Sequence, residues 1–295
     1  MKTILIVGAT GFLGRNLAKK IWYEYKDKYN VIGTGTSPNK INQFKLTRRG
    51  WGATETDIPC HCIDITYDTD KLELIFKNTK IDYIIHCAAL KYIDIAEKDP
   101  TKCIEINVIG TKNIITLANK YNVENLIALS TDKANQPINT YGMSKYLMEK
   151  MVLQYNYSVY QGVNFFWSDG SVLDIWCRQI KKKEQLCITD LEQERFYSKV
   201  EDISQDILNN IDKKKSILLP SEIFKIKLLD LFNAMIEYYN YDKNNVFYMG
   251  CRENEKKIEL LHDTQSVANI ISYTNYEDIG ELIKYTLATT DINNL

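Results

Sequence analysis

The chain has 295 residues, of which 45% are hydrophobic and 25% charged, and its formal net charge is −1. These proportions are ordinary for a folded enzyme, and the balanced charge gives no electrostatic footprint for nucleic acid or an anionic membrane. No segment approaches the roughly 18 consecutive apolar residues of a membrane span, and Met1-Lys2 leads into too short an apolar run for a signal peptide.

The seven cysteines are scattered and odd in number, which fits a reducing cytosol rather than a disulfide framework. Cys60-His61-Cys62 is more consistent with buried strand cysteines than with a zinc site, because alternation puts the His on the opposite face from both thiols. We therefore expect a cytoplasmic protein with no metal and no nucleic-acid or membrane partner.

The first half of the sequence alternates short apolar runs with segments of helical length. Non-alternating apolar strands separated by helices predict a parallel sheet covered on both faces. The predicted strands are residues 3–7, 31–36, 60–64, 83–86, 126–130 and 162–166, with helices at 12–25, 101–121 and 141–157.

After about residue 167 this rhythm loosens. We predict an α/β fold: a Rossmann-like, doubly wound parallel sheet in residues 1–167, and a smaller substrate-binding lobe in residues 168–295 that is partly interleaved with the last sheet elements. The later predicted helices are 172–183, 202–211, 227–239 and 276–288, with short strands at 216–219 and 246–249.

A glycine-rich segment follows the first strand directly and opens a helix. In that context its spacing predicts a dinucleotide-binding turn, in which backbone comes close to a pyrophosphate and the helix N-terminus supplies amide donors. The residues of this loop expected to contact the cofactor are Gly8, Thr10, Gly11, Phe12, Leu13 and Gly14.

The end of the second predicted strand favours NADP over NAD. NAD binding normally uses an acidic residue there for the ribose 2′-hydroxyl, and residues 35–40 contain none. Ser37, Lys40 and Arg15 could instead hold a 2′-phosphate. Asp64, followed by Ile65, is placed to meet the adenine amino group, with a helix N-cap as the alternative for the Asp64 carboxylate.

Tyr141 and Lys145 lie four residues apart and therefore on one side of a helix. The ammonium is expected to lower the phenol's pKa, so that Tyr141 becomes a base near neutral pH. Both side chains would also contact the cofactor. Asp132 and Lys133, at the end of the preceding strand, add a second acid and a second base pointing in different directions. Four proton-handling groups suggest a dehydratase.

Several segments share a pattern with one enzyme family. Residues 85–92, 107–110 and 128–142, with Asp132-Lys133 and Tyr141 in the last, closely resemble the UDP-N-acetylglucosamine 4,6-dehydratases of the polysaccharide-biosynthesis branch of extended short-chain dehydrogenases/reductases. The likeness continues more thinly through segments 169–172, 188–196 and 252–256. It implies that Tyr141 takes the proton of the sugar 4-hydroxyl, that Lys133 takes the C5 proton, and that Asp132 protonates the departing 6-hydroxyl.

The resemblance also implies further site residues. Thr131 would hydrogen-bond the reacting hydroxyl region. Asn107 would fix backbone and a water behind the catalytic helix, or be a buried structural amide. The cofactor cleft would include Ala88, Ala89, Lys91 and Asn107, and the UDP-sugar would contact Lys91, Thr131, Asn139, Ser171, Arg195, Arg252 and Glu255.

Two segments depart from the family pattern. Residues 164–169 are about three residues shorter and richer in aromatics than the family's Arg-Tyr-Gly-Asn-Val segment, and residues 252–256 lack its Pro-Gly turn. We expect the C5-inverting type of dehydratase, and a homodimer or higher even oligomer formed through helices 101–121 and 141–157. The alternatives are a UDP-sugar 4-epimerase or 4-ketoreductase, and a catalytically weakened NADP-binding partner or sensor. The residues expected at the dimer interface include Ile104, Val108, Ile115, Tyr146, Met148 and Val152.

Overall fold

A computed structural model describes residues 1–250, 256, 259–261, 269–273 and 276–290. The chain divides into two compact units. The first contains Met1–Gln161 together with Ser204–Leu218, and the second contains Gly162–Ile203 and Leu219–Leu295.

The first unit is built on a seven-stranded sheet. The strands are β1 (Lys2–Val7), β2 (Tyr29–Gly35), β3 (Cys60–Cys62), β4 (Tyr83–His86), β5 (Asn125–Thr131), β6 (Ser158–Gly162) and β10 (Ile217–Leu218).

The order across this sheet is β10-β6-β5-β4-β1-β2-β3. Strands β1 to β5 pair in parallel with their neighbours, as do β6 and β10. The chain winds outward from β1 to β3 and then restarts at β4 on the other side of β1, which creates the topological switch point of a doubly wound sheet. The predicted α/β, Rossmann-like fold class is confirmed.

Helices cover this sheet because its strands are apolar on both faces, with Ile4, Leu5, Ile6 and Val7 all fully buried. The helical segments are α1 (Phe12–Glu24), α2 (Pro38–Gly50), α3 (Thr69–Asn78), α4 (Ile93–Lys98), α5 (Pro100–Ile104), a π-helix (Glu105–Gly110), α6 (Thr111–Lys120), a 3₁₀ turn (Asp132–Ala134) and α7 (Thr140–Gln154).

The second unit has two small sheets around an aromatic core. Its four-stranded sheet has the order β13-β11-β9-β7, and a parallel pair joins β12 to β8. Phe166, Trp167 and Trp176 are fully buried in its core. Its elements are β7 (Asn164–Phe165), α8 (Val172–Lys181), β8 (Leu186–Ile188), β9 (Glu194–Ser198), β11 (Glu222–Lys227), α10 (Leu228–Tyr239), β12 (Val246–Tyr248), β13 (Asn269–Tyr273) and α11 (Tyr276–Thr289).

One further helix, α9 (Val200–Asn209), runs from the second unit's residues into the segment 204–218, which belongs to the first unit and supplies β10. The sixth sheet strand was predicted at 162–166 and lies instead at Ser158–Gly162, because residues after Gly162 turn away to form β7. Across the part of the chain that the structure describes, no helix combines the length and apolar character needed to cross a bilayer.

Candidate active site

The glycine-rich turn between β1 and α1 has the shape that a dinucleotide phosphate requires. Gly8 has φ +89°, and a Cβ there would come within 2.8 Å of the Ala88 backbone nitrogen. A Cβ on Gly14 would collide with the Gly8 carbonyl oxygen. Gly11 is the N-cap of α1 and has no side chain to occupy the first-turn amides, so these amides and the helix dipole fit a pyrophosphate group.

The end of β2 leads into helix α2, which sequence reasoning missed. Ser37 is the N-cap, its side chain makes no capping hydrogen bond, and Pro38 begins the helix. Lys40 lies exposed in the first turn. The Arg15 side chain is buried in α1 with its guanidinium 5.2 Å from the centre of the Phe12 ring.

Asp64 follows β3 and does not cap the next helix. Its Oδ1 accepts from the Thr66 backbone N–H at 2.8 Å, and the N-cap of α3 is Asp68. Ile65 is buried, and its side chain fills the space that a Cβ on Gly110 would need. The loop after β3 therefore packs directly under the π-helix.

Two side chains fix the start of helix α7. Asn139 is the N-cap, and its Oδ1 accepts from the Gly142 N–H at 2.8 Å. The Glu97 carboxylate accepts from the Thr140 N–H at 2.6 Å, a contact that sequence reasoning did not identify. Both residues satisfy amides that the helix itself leaves unpaired, and the Glu97 charge is favourable at this end of the helix dipole.

Asn107 lies in the π-helix and connects the loop after β4 to α7. Its Oδ1 accepts from Leu90 N–H at 2.8 Å, and its Nδ2 donates to the Leu90 carbonyl at 3.0 Å and to Ser144 Oγ at 2.9 Å. Ala88 and Ala89 precede Leu90 in this loop and are partly exposed, while Lys91 is exposed with its ammonium over the Tyr92 ring. Asn107 thus ties the loop after β4 to helix α7 through its side-chain amide.

Asp132 and Lys133 meet each other, although the sequence predicted that they point apart. Lys133 Nζ lies 3.1 Å from Asp132 Oδ1. The reason is the 3₁₀ turn that begins at Asp132, which ends the strand alternation on which the prediction relied. Thr131 Oγ1 also donates to Asp132 Oδ1, at 2.9 Å.

The second carboxylate oxygen of Asp132 is in an unusual environment. Asp132 is 1% exposed. Among the residues that the structure describes, no group hydrogen-bonds Oδ2. Because a buried polar atom normally has a partner, this oxygen fits a position at which a ligand hydroxyl completes the hydrogen bonding.

Tyr141 does not have the lowered pKa that the sequence predicted. Burial raises its pKa to about 12, while the Lys133 charge and the neighbouring Thr131 hydroxyl oppose that rise. The cation that most favours the phenolate is therefore Lys133 rather than Lys145, and the expectation of a pKa lowered by Lys145 is wrong for the free protein.

Lys145 lies one helical turn beyond Tyr141 and is 3% exposed. Burial lowers its pKa to about 8, and the nearby Glu149 opposes that shift. Its Nζ contacts Met148 Sδ at 3.2 Å, and Gln161 donates to the buried Glu149 at 3.0 Å. Sequence reasoning missed Glu149, although its i+4 spacing from Lys145 places both on one helix face.

The remaining predicted residues lie in the second unit. Ser171 is the N-cap of α8, with its hydroxyl accepting from Asp174 N–H. Arg195 on β9 is buried and donates to Gln193 Oε1 at 2.8 Å and to the Lys256 carbonyl at 2.9 Å. Arg252 and Glu255 lie outside the described residues.

The shortened segment 164–169 adopts a strained form in the same unit. Trp167 is fully buried and has φ +63°, a conformation rare for a bulky side chain. Within the described residues its indole N–H finds no hydrogen-bond partner.

Across all the residues that the structure describes, no cluster of three His, Cys, Asp or Glu side chains could hold a metal ion.

Known proteins share this sequence and fold. The chain is 29% identical to the inverting UDP-N-acetylglucosamine 4,6-dehydratase of Campylobacter jejuni, over 99% of this chain and 86% of that protein. It is 32% identical to the UDP-glucose 4-epimerase of Rickettsia rickettsii, over 93% and 82% of the two chains. Among solved structures, the dTDP-glucose 4,6-dehydratase DesIV of Streptomyces venezuelae superposes with a TM-score of 0.81 at 14% identity, covering 97% of each chain.

A model of the family described as polysaccharide biosynthesis protein matches residues 4–280, nearly the whole chain. This match confirms the resemblance inferred from the segments around Asp132-Lys133 and Tyr141. The chain belongs to this polysaccharide biosynthesis family of nucleotide-sugar dehydratases and epimerases, within the extended short-chain dehydrogenases/reductases.

Proposed function

We propose that this protein is an NADP-dependent UDP-N-acetylglucosamine 4,6-dehydratase that yields a UDP-2-acetamido-2,6-dideoxy-4-hexulose with inversion at C5. The observation that carries the proposal is the ion pair between the buried Asp132 and the partly exposed Lys133, close to Tyr141. A 4-epimerase needs one base for one hydroxyl. A dehydratase needs in addition a base for C5 and an acid for the 6-hydroxyl, and this pair supplies both.

The side chains can perform four proton transfers. Tyr141, a phenol in the free protein, first loses its proton to solvent, a loss that the Lys133 charge favours, and the phenolate then accepts the proton of the sugar 4-hydroxyl. Transfer of a proton across the 3.1 Å contact from Lys133 to Asp132 produces a neutral amine and a neutral carboxylic acid together. The amine can then remove the C5 proton, which the adjacent ketone acidifies, and Asp132 Oδ2 can donate to the departing 6-hydroxyl. The turn from Gly8 to Gly14 would hold a nicotinamide cofactor, which would supply the hydride chemistry between C4 and C6, and C5 would take its new proton from solvent.

The cofactor proposal rests on two helix N-termini, that of α1 after strand β1 and that of α2 after strand β2. The turn at Gly8 and Gly14 supports a pyrophosphate, and DesIV was solved with NAD bound. At the β2 end, the start of α2 adds a helix N-terminus to Ser37 and Lys40, which favours a 2′-phosphate. Calorimetry should show NADP bound more tightly than NAD; equal or tighter NAD binding would contradict the preference but leave the reaction in place.

The reaction itself is tested by incubating the protein with NADP and UDP-N-acetylglucosamine and following the mixture by proton NMR. A new 6-methyl doublet in H2O, which collapses to a singlet in D2O as C5 takes up solvent deuterium, would identify a 4,6-dehydratase. The nuclear Overhauser effect between H3 and H5 of the product formed in H2O reports whether C5 is inverted. Absence of any 6-deoxy product, with NADP bound, would reject the proposal.

A UDP-sugar 4-epimerase is the second candidate, favoured by the similarity to the Rickettsia rickettsii enzyme. It would use Tyr141, Lys145 and Thr131, and the Asp132–Lys133 pair would have no role in the reaction. A UDP-sugar epimerised at C4 with an unchanged 6-hydroxymethyl group in the same NMR experiment would favour it. A catalytically weakened NADP-binding partner, suggested by the segment 164–169, would bind NADP and convert no UDP-sugar.

We also propose that the protein acts as a homodimer or higher even oligomer in the cytoplasm. The six cysteines that the structure describes are all free thiols, consistent with a reducing compartment. The substrate-side contacts of Lys91, Asn139, Ser171, Arg195, Arg252 and Glu255 remain predictions.

A further inference from the structure

A buried glutamine, Gln161 near the end of β6, joins the turn after β5 to helix α7. Gln161 is 3% exposed. Its Oε1 accepts from Asn135 Nδ2 at 3.2 Å, and its Nε2 donates to Asn135 Oδ1 at 3.4 Å. The same Nε2 also donates to Glu149 Oε1 at 3.0 Å. Both N–H groups of the Gln161 amide are therefore in use, and its carbonyl oxygen has a partner as well.

The carboxylate of Glu149 fixes which way the Gln161 amide points. Glu149 lies on α7 and is 4% exposed. An ionised carboxylate only accepts hydrogen bonds, so it selects the Nε2 side of the amide. Oε1 of Gln161 is then left for the Asn135 side chain, and the three residues form one connected set of buried hydrogen bonds.

Asn135 is part of the turn that carries the proposed acid and base. It is the C-cap of the 3₁₀ turn, and its backbone N–H donates to the Asp132 carbonyl at 3.1 Å. Because 3₁₀ turns are short and their hydrogen-bond geometry is poor, the placement of this one depends on contacts outside it. A Cβ on Gly142 would collide with the Lys133 carbonyl oxygen, so the turn packs directly on the first turn of α7. It is therefore held at two places, by packing on Gly142 and through the amide of Gln161.

We propose that Gln161 is a positioning residue for the Asp132–Lys133 pair, because its amide holds the turn that carries them at a fixed place along α7. The same helix carries Tyr141. The base for the 4-hydroxyl and the groups for C5 and the 6-hydroxyl act on different atoms of one sugar, so their relative placement must stay constant. Without Gln161, oxidation at C4 keeps its own base, whereas elimination loses the alignment of its acid and its base. The inference rests on the proposed dehydratase function.

Gln161→Met keeps the length of the side chain and removes all three hydrogen bonds. The test follows single turnovers of UDP-N-acetylglucosamine with NADP by stopped-flow absorbance of the reduced cofactor and by rapid-quench NMR of the sugar. Oxidation at C4 should proceed at near the wild-type rate. The 6-deoxy product should form about 10- to 100-fold more slowly, as expected when reacting groups are misplaced by up to about 1 Å. Reduced cofactor should therefore accumulate transiently in the variant.

Asn125→Leu is the matched control for the loss of a buried amide. Asn125 lies at the opposite end of β5 from the turn and is 1% exposed. Its Nδ2 donates to the carbonyls of Ile211 and Lys213 at 2.9 and 3.0 Å. This variant should lose stability to urea, as Gln161→Met should, but keep the wild-type ratio of oxidation to elimination.

Exchanging the two buried side chains tests the hydrogen bonds directly and decides the question if Gln161→Met does not fold. Gln161→Glu places two carboxylates against each other and should also slow product formation. Adding Glu149→Gln returns one amide and one carboxylate to the pair, with an acceptor still facing Asn135 Nδ2. The double variant should therefore form product at near the wild-type rate.

Three results would overturn the positioning role. They are product formation by Gln161→Met at the wild-type rate, an equal loss of C4 oxidation and elimination in that variant, and a double variant no faster than Gln161→Glu. If wild type forms no 6-deoxy product, the dehydratase proposal fails and the role of Gln161 falls with it. If wild type forms product and the Gln161 variants match it, the positioning role alone fails.

Discussion

In the proposed reaction the adjacent residues Asp132 and Lys133 transfer protons in opposite directions, one to the sugar and one from it. Lys133→Ala or Asp132→Asn should leave oxidation at C4 possible but block elimination, because only the C5 proton and the 6-hydroxyl need these groups. Tyr141→Phe should stop the oxidation itself. Losses of about 100- to 10,000-fold are expected for each. Rapid-quench NMR with UDP-N-acetylglucosamine in deuterated solvent distinguishes these defects, since C5 exchange should require Lys133.

The exposed Lys112 on α6 offers a control for the lysine substitution. Lys112→Ala removes the same charge and should retain C5 exchange and product formation. If Lys133→Ala also exchanges C5 and forms the 6-deoxy sugar at near the wild-type rate, Lys133 is not the base.

His86 at the end of β4 links the stability of the sheet to pH. Burial, with a smaller contribution from the Lys145 charge, lowers its pKa from 6.5 to about 3. Its Nε2 hydrogen-bonds Thr111 Oγ1 at 2.9 Å. Between these two pKa values the unfolded chain binds the extra proton, so the free energy of unfolding should fall as the pH drops from 6.5 toward 3.

His86→Gln removes this titration, and urea denaturation of both proteins across the range measures the difference. Between pH 6.5 and about 4.5 the wild type should lose about 2 kcal/mol more than the variant, since each pH unit between the two pKa values is worth up to about 1.4 kcal/mol. Parallel pH dependences for the two proteins would show that His86 is not held neutral in the fold.

At the scale of elements, helix α7 carries both Tyr141 and Lys145 in its first two turns, so its N-terminal cap should affect catalysis as well as stability. Asn139→Ala removes the acceptor for Gly142 N–H and should cost about 1 kcal/mol of unfolding free energy. Because loss of the cap allows the first turn to fray, kcat should fall by about 10-fold or more.

Asp99 provides a matched cap at the neighbouring helix α5, where its side chain accepts from Lys102 N–H at 3.0 Å. Asp99→Ala should likewise cost about 1 kcal/mol of unfolding free energy and should leave kcat close to the wild-type value. Equal loss of kcat in both variants would mean that general destabilisation, not the position of Tyr141, is responsible.

Local sequence spacing predicted the elements whose chemistry is local. The turn at Gly8–Gly14 and the pairing of Tyr141 with Lys145 on one helix depend on neighbours in the chain, and both were recognisable. The contact of Asp132 with Lys133 could not be recognised from the sequence. It depends on a 3₁₀ turn, and the residue types of that turn occur equally well at the end of a strand. The capping contact of Glu97 was not predictable either, because it joins residues 43 apart in the chain.

Helix α2 and strand β6 show that whole elements, too, can be missed or misplaced when only local sequence is considered. The sequence of α2 is polar on most positions, with only Ile41, Phe44 and Arg48 buried, so its apolar stripe is weak. The sixth strand was displaced by four residues because 158–162 and 162–166 are both strand-like in composition, and only the sheet's pairing of β6 with β10 selects the first. The pKa of Tyr141 likewise depends on burial that spacing does not encode.

At the scale of the whole molecule, an exposed apolar surface lies on the helices next to the catalytic residues. Three of the residues expected at a dimer interface, Ile115, Met148 and Val152, are instead buried in the core of their own subunit, because they face the sheet. Helix α7 contacts both α5 and the π-helix. The exposed surface formed by these three helices consists of Ile104, Ile109, Met143, Tyr146 and Leu147.

This surface is the basis for the proposed dimer, since pairing of the same patch on two copies about a twofold axis would remove it from water. Leu147→Glu, which places a charge at a 51% exposed position, should convert the dimer to a monomer by light scattering at micromolar concentration. Leu46→Glu on α2, at a 66% exposed apolar position outside this surface, should leave the mass unchanged.

The same helix α7 carries Tyr141 on its buried side and Leu147 on its exposed side, so assembly and catalysis should be coupled. Covering the exposed side limits fraying of the helix, and the specific activity of wild type should therefore fall on dilution below the dimer dissociation constant. The specific activity of Leu147→Glu should equal that of the diluted wild type at every protein concentration. A wild-type monomer at micromolar concentration, or a Leu147→Glu dimer of unchanged stability, would mean that these apolar residues do not form the interface.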